Sequence, residues 1–238
     1  MQNEPKSIWD RLWSNRNWEV SCDQVTRQQI LMDFLGGVYG QKIIELGIGT
    51  GFDSIFLASK GASIIGLDLS GQAIKLCREN FVKYGAVLNV LKGDVQYMPI
   101  KNESMDIIYS AGLLEHFNNP DPIITEMVRI TKINGFIVCF VPQTFSWWTV
   151  RKKREMKQNK WFAGWETNYS FWRPKKVFNR PNFRLKYLKG FHICVTPWDL
   201  YERYYFYGRK GWLLRELDKC VIVNIFGKEI GILVQKTS

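Results

Sequence analysis

Five short runs of the chain are apolar at almost every position: KIIEL (42–46), SIIGLD (63–68), AVLNVLKG (86–93), MDIIYS (105–110) and GFIVCFV (135–141). Continuous apolar runs of this length belong to strands buried on both faces. Between them, apolar positions recur at helical spacing over roughly 52–60, 71–84 and 119–132, and Asp121-Pro122 reads as a helix start. Strands alternating with helices predict a parallel sheet with right-handed crossovers and helices on both faces, an α/β fold. After residue 215 the pattern changes. CVIVNIFG (220–227) and EIGILVQK (229–236) finish the chain, the second as a closing strand.

The first strand runs into IIELGIGTG (43–51), with glycines at 47, 49 and 51 and an acid, Glu45, two residues before the first. In an open α/β sheet ligands sit beyond the carboxyl ends of the strands, and the first strand-to-helix turn is where backbone approaches them. A dinucleotide site would place its third small residue at 52, where this chain has Phe52. Glu45 also suits a cationic ligand better than a pyrophosphate. Asp68 ends the second strand 21 positions after Gly47 and could accept both vicinal hydroxyls of a ribose, or cap the helix that begins near Ser70. Asp94 in GDVQYMPI (93–100) could face a ligand or only make a Gly-Asp turn.

The blocks ELGIGTG, Asp68, GDVQYMPI and SAGLLEHF (110–117), in this order and spacing, resemble the class I S-adenosylmethionine-dependent methyltransferases, particularly the small-molecule branch called the type 11 methyltransferase family. The resemblance covers about residues 40–142. It implies a Rossmann-like three-layer sandwich with a mostly parallel seven-stranded sheet, the last strand antiparallel, and a lid inserted after strand five. It further implies S-adenosylmethionine as cofactor. Glu45, Gly47, Gly49 and Gly51 would wrap its methionine part, Asp68 its ribose and Asp94 its adenine, with Leu69, Val95 and Ser110 as further contacts. The segment 1–35 would hold cofactor-covering helices, with Trp9 and Trp13 on one helix face; 36–141 would be the cofactor core, 142–215 the lid and substrate region, and 216–238 the closing strands, all in a single domain.

A sulfonium already leaves as a neutral thioether, so the protein must chiefly align a nucleophile and exclude water. A general base is needed only for an acceptor that must lose a proton. Glu115 and His116 are the nearest candidates by position; His116 could instead pack on the cofactor or cap a helix, and His192 in FHICV is a weaker candidate. Enzymes that methylate exocyclic amines of bases carry an Asn/Asp-Pro-Pro-Tyr/Phe block after strand four. Here that place reads SAGL, and NNPDP comes only at 118–122. The Pro-Cys nucleophile of pyrimidine carbon-five methylation is missing too.

Charge changes the picture in one segment. Residues 142–215 hold 17 Lys and Arg against 4 Asp and Glu, or +13 of a net +11, together with seven of the ten tryptophans. Basic residues interleaved with aromatics suit single-stranded nucleic acid, a membrane interface, or a lid closing on an anionic acceptor. They equally suit a lid whose aromatics form its own small core. With no RNA-binding module visible, the sequence favours a small-molecule or lipid- or phosphate-linked acceptor, with RNA methylation and a non-catalytic cofactor-binding scaffold as alternatives. No run approaches a membrane span. MQNEPKSIWD has no apolar signal core, and five separated cysteines without a CxxC pair predict a reducing, cytoplasmic setting, with peripheral membrane contact through 142–215. Two histidines and scattered thiols predict no protein-built metal site.

Overall fold

A computed structural model of the chain describes residues 6–14, 18–87, 89–161, 163–193 and 226–237. The sheet grows outward from β1 (Lys42–Leu46), whose last four residues are buried because both faces are covered. Its parallel neighbours are β2 (Ser63–Asp68) and β4 (Met105–Ala111); β3 (Asn89–Lys92) flanks β2, and β5 (Thr131–Pro142) flanks β4. Beyond β5 come β7 (Gly227–Lys236), antiparallel to both its neighbours, and β6 (Phe183–Ile193) at the edge. The order is β3-β2-β1-β4-β5-β7-β6, seven strands with one antiparallel to the rest.

Alternation along the strands sorts the core into two layers. Ile44, Leu46, Ile108 and Ile137 face α5 (Asp121–Ile130), packing on Ile123, Ile124 and Met127. Ile43, Ile107, Tyr109 and Val138 face the opposite helices, α2 (Cys22–Leu35) and α3 (Phe52–Ser59), through Ile30, Leu31 and Leu57. Glu45 shares the pleat direction of Ile43 and therefore points toward α2 and α3. A capping box of Ser21 and Gln24 starts α2, and Gly36 in the left-handed conformation ends it. Helix α4 (Gly71–Lys83) starts at Ser70, whose hydroxyl accepts from Ala73 N.

Three boundaries differ from the sequence reading. The third strand is shorter than 86–93. Helix α5 stops at Ile130 and β5 begins at Thr131, whose hydroxyl donates to Met127 O and closes the helix. The larger difference is β6, which lies inside the segment read as lid. In FRLKYLKGFHI the exposed Arg184, Lys186 and Lys189 alternate with the half-buried Leu185 and Leu188, as expected of an edge strand wet on one face. Its charge content hid it among the basic residues of 142–215. The true insertion after β5 is therefore shorter: α6 (Trp147–Lys157), α7 (Arg173–Val177) and the loops around them. The strand expected at 220–227 lies almost wholly outside the described residues, as does all of 194–225.

Candidate active site

The carboxyl ends of β1, β2 and β4 open onto two adjoining cavities. Gly47, Gly112, His116, Trp9 and Trp13 line both, so these residues form the boundary between them. The narrower cavity is completed by Asp68, Leu69, Asp94, Val95, Leu113 and Phe117. The wider one, about 410 Å³, lies between the glycine turn, α2, β7 and the insertion after β5.

The glycine turn is held by Asp68. Gly47 N donates to Leu67 O at 2.8 Å, and Gly49 N donates to Asp68 Oδ2 at 3.0 Å. The other carboxylate oxygen accepts from Ser70 N at 2.8 Å. One buried carboxylate thus satisfies amides on two turns, the job of a cap, while also facing the cavity. Burial pushes its pKa up from the ordinary value, against the backbone amides of Ser70 and Gly49. Asp94 combines the same two features: its Oδ1 accepts from Gln96 N at 2.9 Å in a turn, and it lines the narrow cavity.

The three glycines are not equivalent. All have positive φ, but a Cβ at Gly49 would stand 2.8 Å from the Trp13 ring, and one at Gly51 would stand 2.5 Å from Cys77 Sγ. Gly51 therefore packs against the α4 core and lines neither cavity. Ser110, almost fully buried within β4, lines neither as well. The remaining predicted positions, Glu45, Gly47, Gly49, Asp68, Leu69, Asp94, Val95, Glu115 and His116, line one or both. His192 lies in β6.

Helix α1 (Lys6–Ser14) is tied over the site by Asp10, which accepts from Ser70 Oγ at 2.6 Å. Trp9 meets His116 edge to face with ring centroids 4.7 Å apart, and Trp13 reaches the glycine turn. On the other side the insertion is sewn to the turn after β4. Thr167 N donates to Glu115 O at 2.8 Å, and His116 Nδ1 lies 3.2 Å from Trp165 O. A carbonyl can only accept, so Nδ1 carries the proton.

Acids dominate the wider cavity. Seven carboxylates line it against Arg27 and Lys228 among the described residues. Arg27 is held by both oxygens of Glu229 at 3.2 Å and lies 3.7 Å from Asp53; burial pulls its pKa down, yet these carboxylates outweigh that and raise it. Lys228 pairs with Asp23 and sits 4.4 Å from the Trp148 ring centroid. Asp53 accepts from Tyr109 Oη at 2.6 Å and Gln28 Nε2 at 3.0 Å. Glu45 accepts from Ser54 Oγ, and burial followed by the nearby Asp53 charge pushes it well above the usual carboxylate range. Glu115 is raised too, by burial first and then by Glu166. Its Oε2 is buried without a hydrogen-bond partner among the described residues.

The individual residues of α2 and β7 were not singled out from sequence, and the insertion was read only as part of the segment 142–215. Lys228 and Glu229 did leave a signal, as adjacent charges opening an otherwise apolar strand. Arg27 and Asp23 left none, since charges on one helix turn look like any solvated face.

Residues 44–139 match a family model described as a methyltransferase domain. A ubiquinone biosynthesis O-methyltransferase of Photobacterium profundum is 30% identical over 112 residues, 47% of this chain and 48% of that protein. A demethylmenaquinone methyltransferase of Renibacterium salmoninarum is 28% identical over 120 residues, 50% and 49% of the two chains. The chain thus spans about half the length of the curated relatives it matches. Among solved structures, a SAM-dependent methyltransferase from Aquifex aeolicus superposes with TM-score 0.64 at 12% identity over 98% of this chain and 100% of its own. The magnesium protoporphyrin IX methyltransferase of Synechocystis, with SAH bound, gives 0.62 at 15% identity over 97% and 93%. These similarities establish the same fold.

Proposed function

We propose that the protein, whose residues 44–139 match a methyltransferase domain model, moves a methyl group from S-adenosylmethionine to a small molecule held in the wider cavity. The observation that carries this reading is the pair of cavities meeting at Gly47, Gly112 and His116. The narrow one offers what an adenosine needs: carboxylates at Asp68 and Asp94 for hydroxyl and amine donors, and apolar walls from Leu69, Val95, Leu113 and Phe117. Bare backbone at Gly47 gives it a close floor, since a Cβ there would press on Leu113 at 3.2 Å. Glu45 and Asp53 lie beyond that floor, where acids suit the cationic methionine end. The cofactor supplies an activated methyl group; the chain supplies alignment and, through α1 and the insertion, a covered site.

Much of the acceptor wall comes from α2, β7 and the insertion, outside the matched 44–139 region, so the quinone names of the relatives carry over only as one candidate class. An anionic or phosphate-linked acceptor draws less support than the sequence charge suggested. The cavity side of the insertion presents Trp148, Trp161 and Glu166, while Lys152 is fully buried and donates to Glu166 at 2.8 Å. Calorimetry with S-adenosylmethionine and its demethylated product should give micromolar dissociation constants, about −8 kcal/mol. Binding of NAD with neither of these would overturn the assignment.

The outer face of α6 supports peripheral contact with an anionic membrane surface. Trp147, Val150, Arg151 and Arg154 share one helical face, and all are exposed. Gln at Arg151, Lys153 and Arg154 together should weaken sedimentation with anionic vesicles by about 1 kcal/mol per charge near the surface. Equal sedimentation of variant and wild type, or equal binding to neutral vesicles, would remove the membrane reading. No helix among the described residues is long and apolar enough to cross a membrane.

A further inference from the structure

Glu115 stands out among the carboxylates of the wider cavity, of which Glu19 is exposed to solvent. Asp23 faces Lys228, Asp53 and Glu229 face Arg27, Glu166 faces Lys152, and Glu45 has the Ser54 hydroxyl. Glu115 is only 5% exposed, lines the cavity, and has an Oε2 without a hydrogen-bond partner among the described residues. A buried carboxylate oxygen without a donor is costly, and a ligand that brings a donor removes the cost. The surroundings specify the donor. Lys228 shows this wall already holding one ammonium group, over the Trp148 ring at 4.4 Å. Trp161, perpendicular to Trp148 with centroids 5.6 Å apart, extends the aromatic wall and donates its Nε1 to Glu166 at 3.1 Å.

We propose, building on the methyl-transfer reading above, that the acceptor is an amine bound as its ammonium ion, with Glu115 as the carboxylate that receives it and takes its proton. An ammonium nitrogen has no lone pair, so it must deprotonate before it can react. One N–H proton passes to Glu115 Oε2, leaving a neutral amine with its lone pair directed at the methyl carbon. The N–C bond forms as the C–S bond breaks, and that bond's electron pair stays on sulfur, which becomes a thioether. The methylated ammonium product leaves, and Glu115 returns its proton to solvent. The groups facing Glu115 are Glu166, Lys152 and Tyr169 from the insertion, Glu229 from β7, Cys139 from β5 and its neighbour His116. Burial and the Glu166 charge hold Glu115 above the usual carboxylate range, which makes it a stronger base than an ordinary carboxylate.

The test is calorimetric and uses the full chain saturated with S-adenosylhomocysteine. The probes are arylalkylamines of graded chain length, each with its alcohol and carboxylate isostere. The amines should bind wild type about tenfold or more tightly than their alcohols, with the carboxylates weakest. Glu115→Gln should abolish the preference of amine over alcohol while leaving S-adenosylhomocysteine affinity within about twofold, since the shape is kept and the charge lost. The proposal is overturned if no amine binds better than its alcohol, or if Glu115→Gln keeps the preference. The wild-type comparison alone decides the first point should the variant fail to fold. Loss of S-adenosylhomocysteine binding in wild type is a different failure, one that removes the methyl-transfer reading itself.

Discussion

Asp68 offers a substitution in which direct and indirect roles give opposite orders of effect. Its carboxylate is 8% exposed and accepts Gly49 N at 3.0 Å and Ser70 N at 2.8 Å, so it shapes the turn that any ligand would meet. Hydrogen bonds to a charged group contribute about 1.5–3 kcal/mol each, and a buried amide left unsatisfied costs about 1–3 kcal/mol. Burial already raises the Asp68 pKa, so part of the gain is offset by desolvation. Asp68→Ala should therefore destabilise the ligand-free protein by about 1–3 kcal/mol. Asp68→Asn separates the roles. An amide side chain can still hydrogen-bond ribose hydroxyls, but its NH₂ would oppose the Gly49 N–H and push the turn open. If Asp68 acts mainly by holding the turn, Asn and Ala should lose S-adenosylhomocysteine affinity equally, about 10- to 100-fold, and both should melt lower. If it acts mainly on the ribose, Asn should retain most of the affinity. Calorimetry paired with thermal denaturation reads both quantities. Wild-type affinity and wild-type melting in Asp68→Ala would refute both roles.

The glycine turn yields a matched pair. Gly51→Ala should cost about 2–4 kcal/mol of stability, from left-handed strain at φ 74° plus overpacking against Cys77 and Phe81, and should leave S-adenosylhomocysteine affinity of the folded protein unchanged. Gly49→Ala displaces Trp13, a cavity residue, so its loss should appear chiefly in ligand affinity; equal behaviour of the two variants by melting and calorimetry would contradict their assigned places. Glu45→Gln tests the buried acid through pH. A carboxyl whose folded pKa is raised contributes stability below its unfolded pKa, about 4.3, and loses it as pH rises toward the folded value, with a slope up to about 1.4 kcal/mol per pH unit. Ligand-free wild type should therefore lose melting temperature more steeply than Glu45→Gln as pH rises above about 4.3. Parallel curves would mean that Glu45 is not held above its ordinary range.

The cofactor half of the fold was legible because each element there is locally self-consistent. KIIEL, SIIGLD and MDIIYS are buried on both faces and read as strands from hydrophobicity alone. The glycines, Asp68 and Asp94 stand at strand ends, where topology puts ligands. β6 escaped because an edge strand shows half its residues to water, and its lysines and arginines resemble those of a loop. Gly51 and Ser110 show the limit of reading a motif position by position. Both lie within matched blocks, yet one packs on Cys77 and the other is enclosed between β1 and β5. Spacing identifies the turn, whereas the direction each residue faces depends on which neighbour arrives from another element.

The acceptor side was illegible for a related reason, visible in the run Arg151-Lys152-Lys153-Arg154. As composition it is four positive charges; on the helix Lys152 points inward and the other three outward. Arg151 pairs with Glu155 at 2.8 Å on the surface, while Lys152 is fully buried on Glu166. Lys153 and Arg154 are exposed. Burying an ammonium costs several kcal/mol unless a carboxylate meets it, so Lys152 is there because Glu166 is. The pair is nearly neutral, and what reaches the cavity from it is carboxylate. A segment of charge +13 can thus present an acidic inner wall and a basic outer face. Net charge describes the field a distant partner meets, whereas the few groups a bound acceptor touches are set by which charges have been neutralised on the way in. The same distinction separates the two proposals for this segment: the outer face of α6 answers to an anionic surface, and the cavity, through Glu115, answers to a cation.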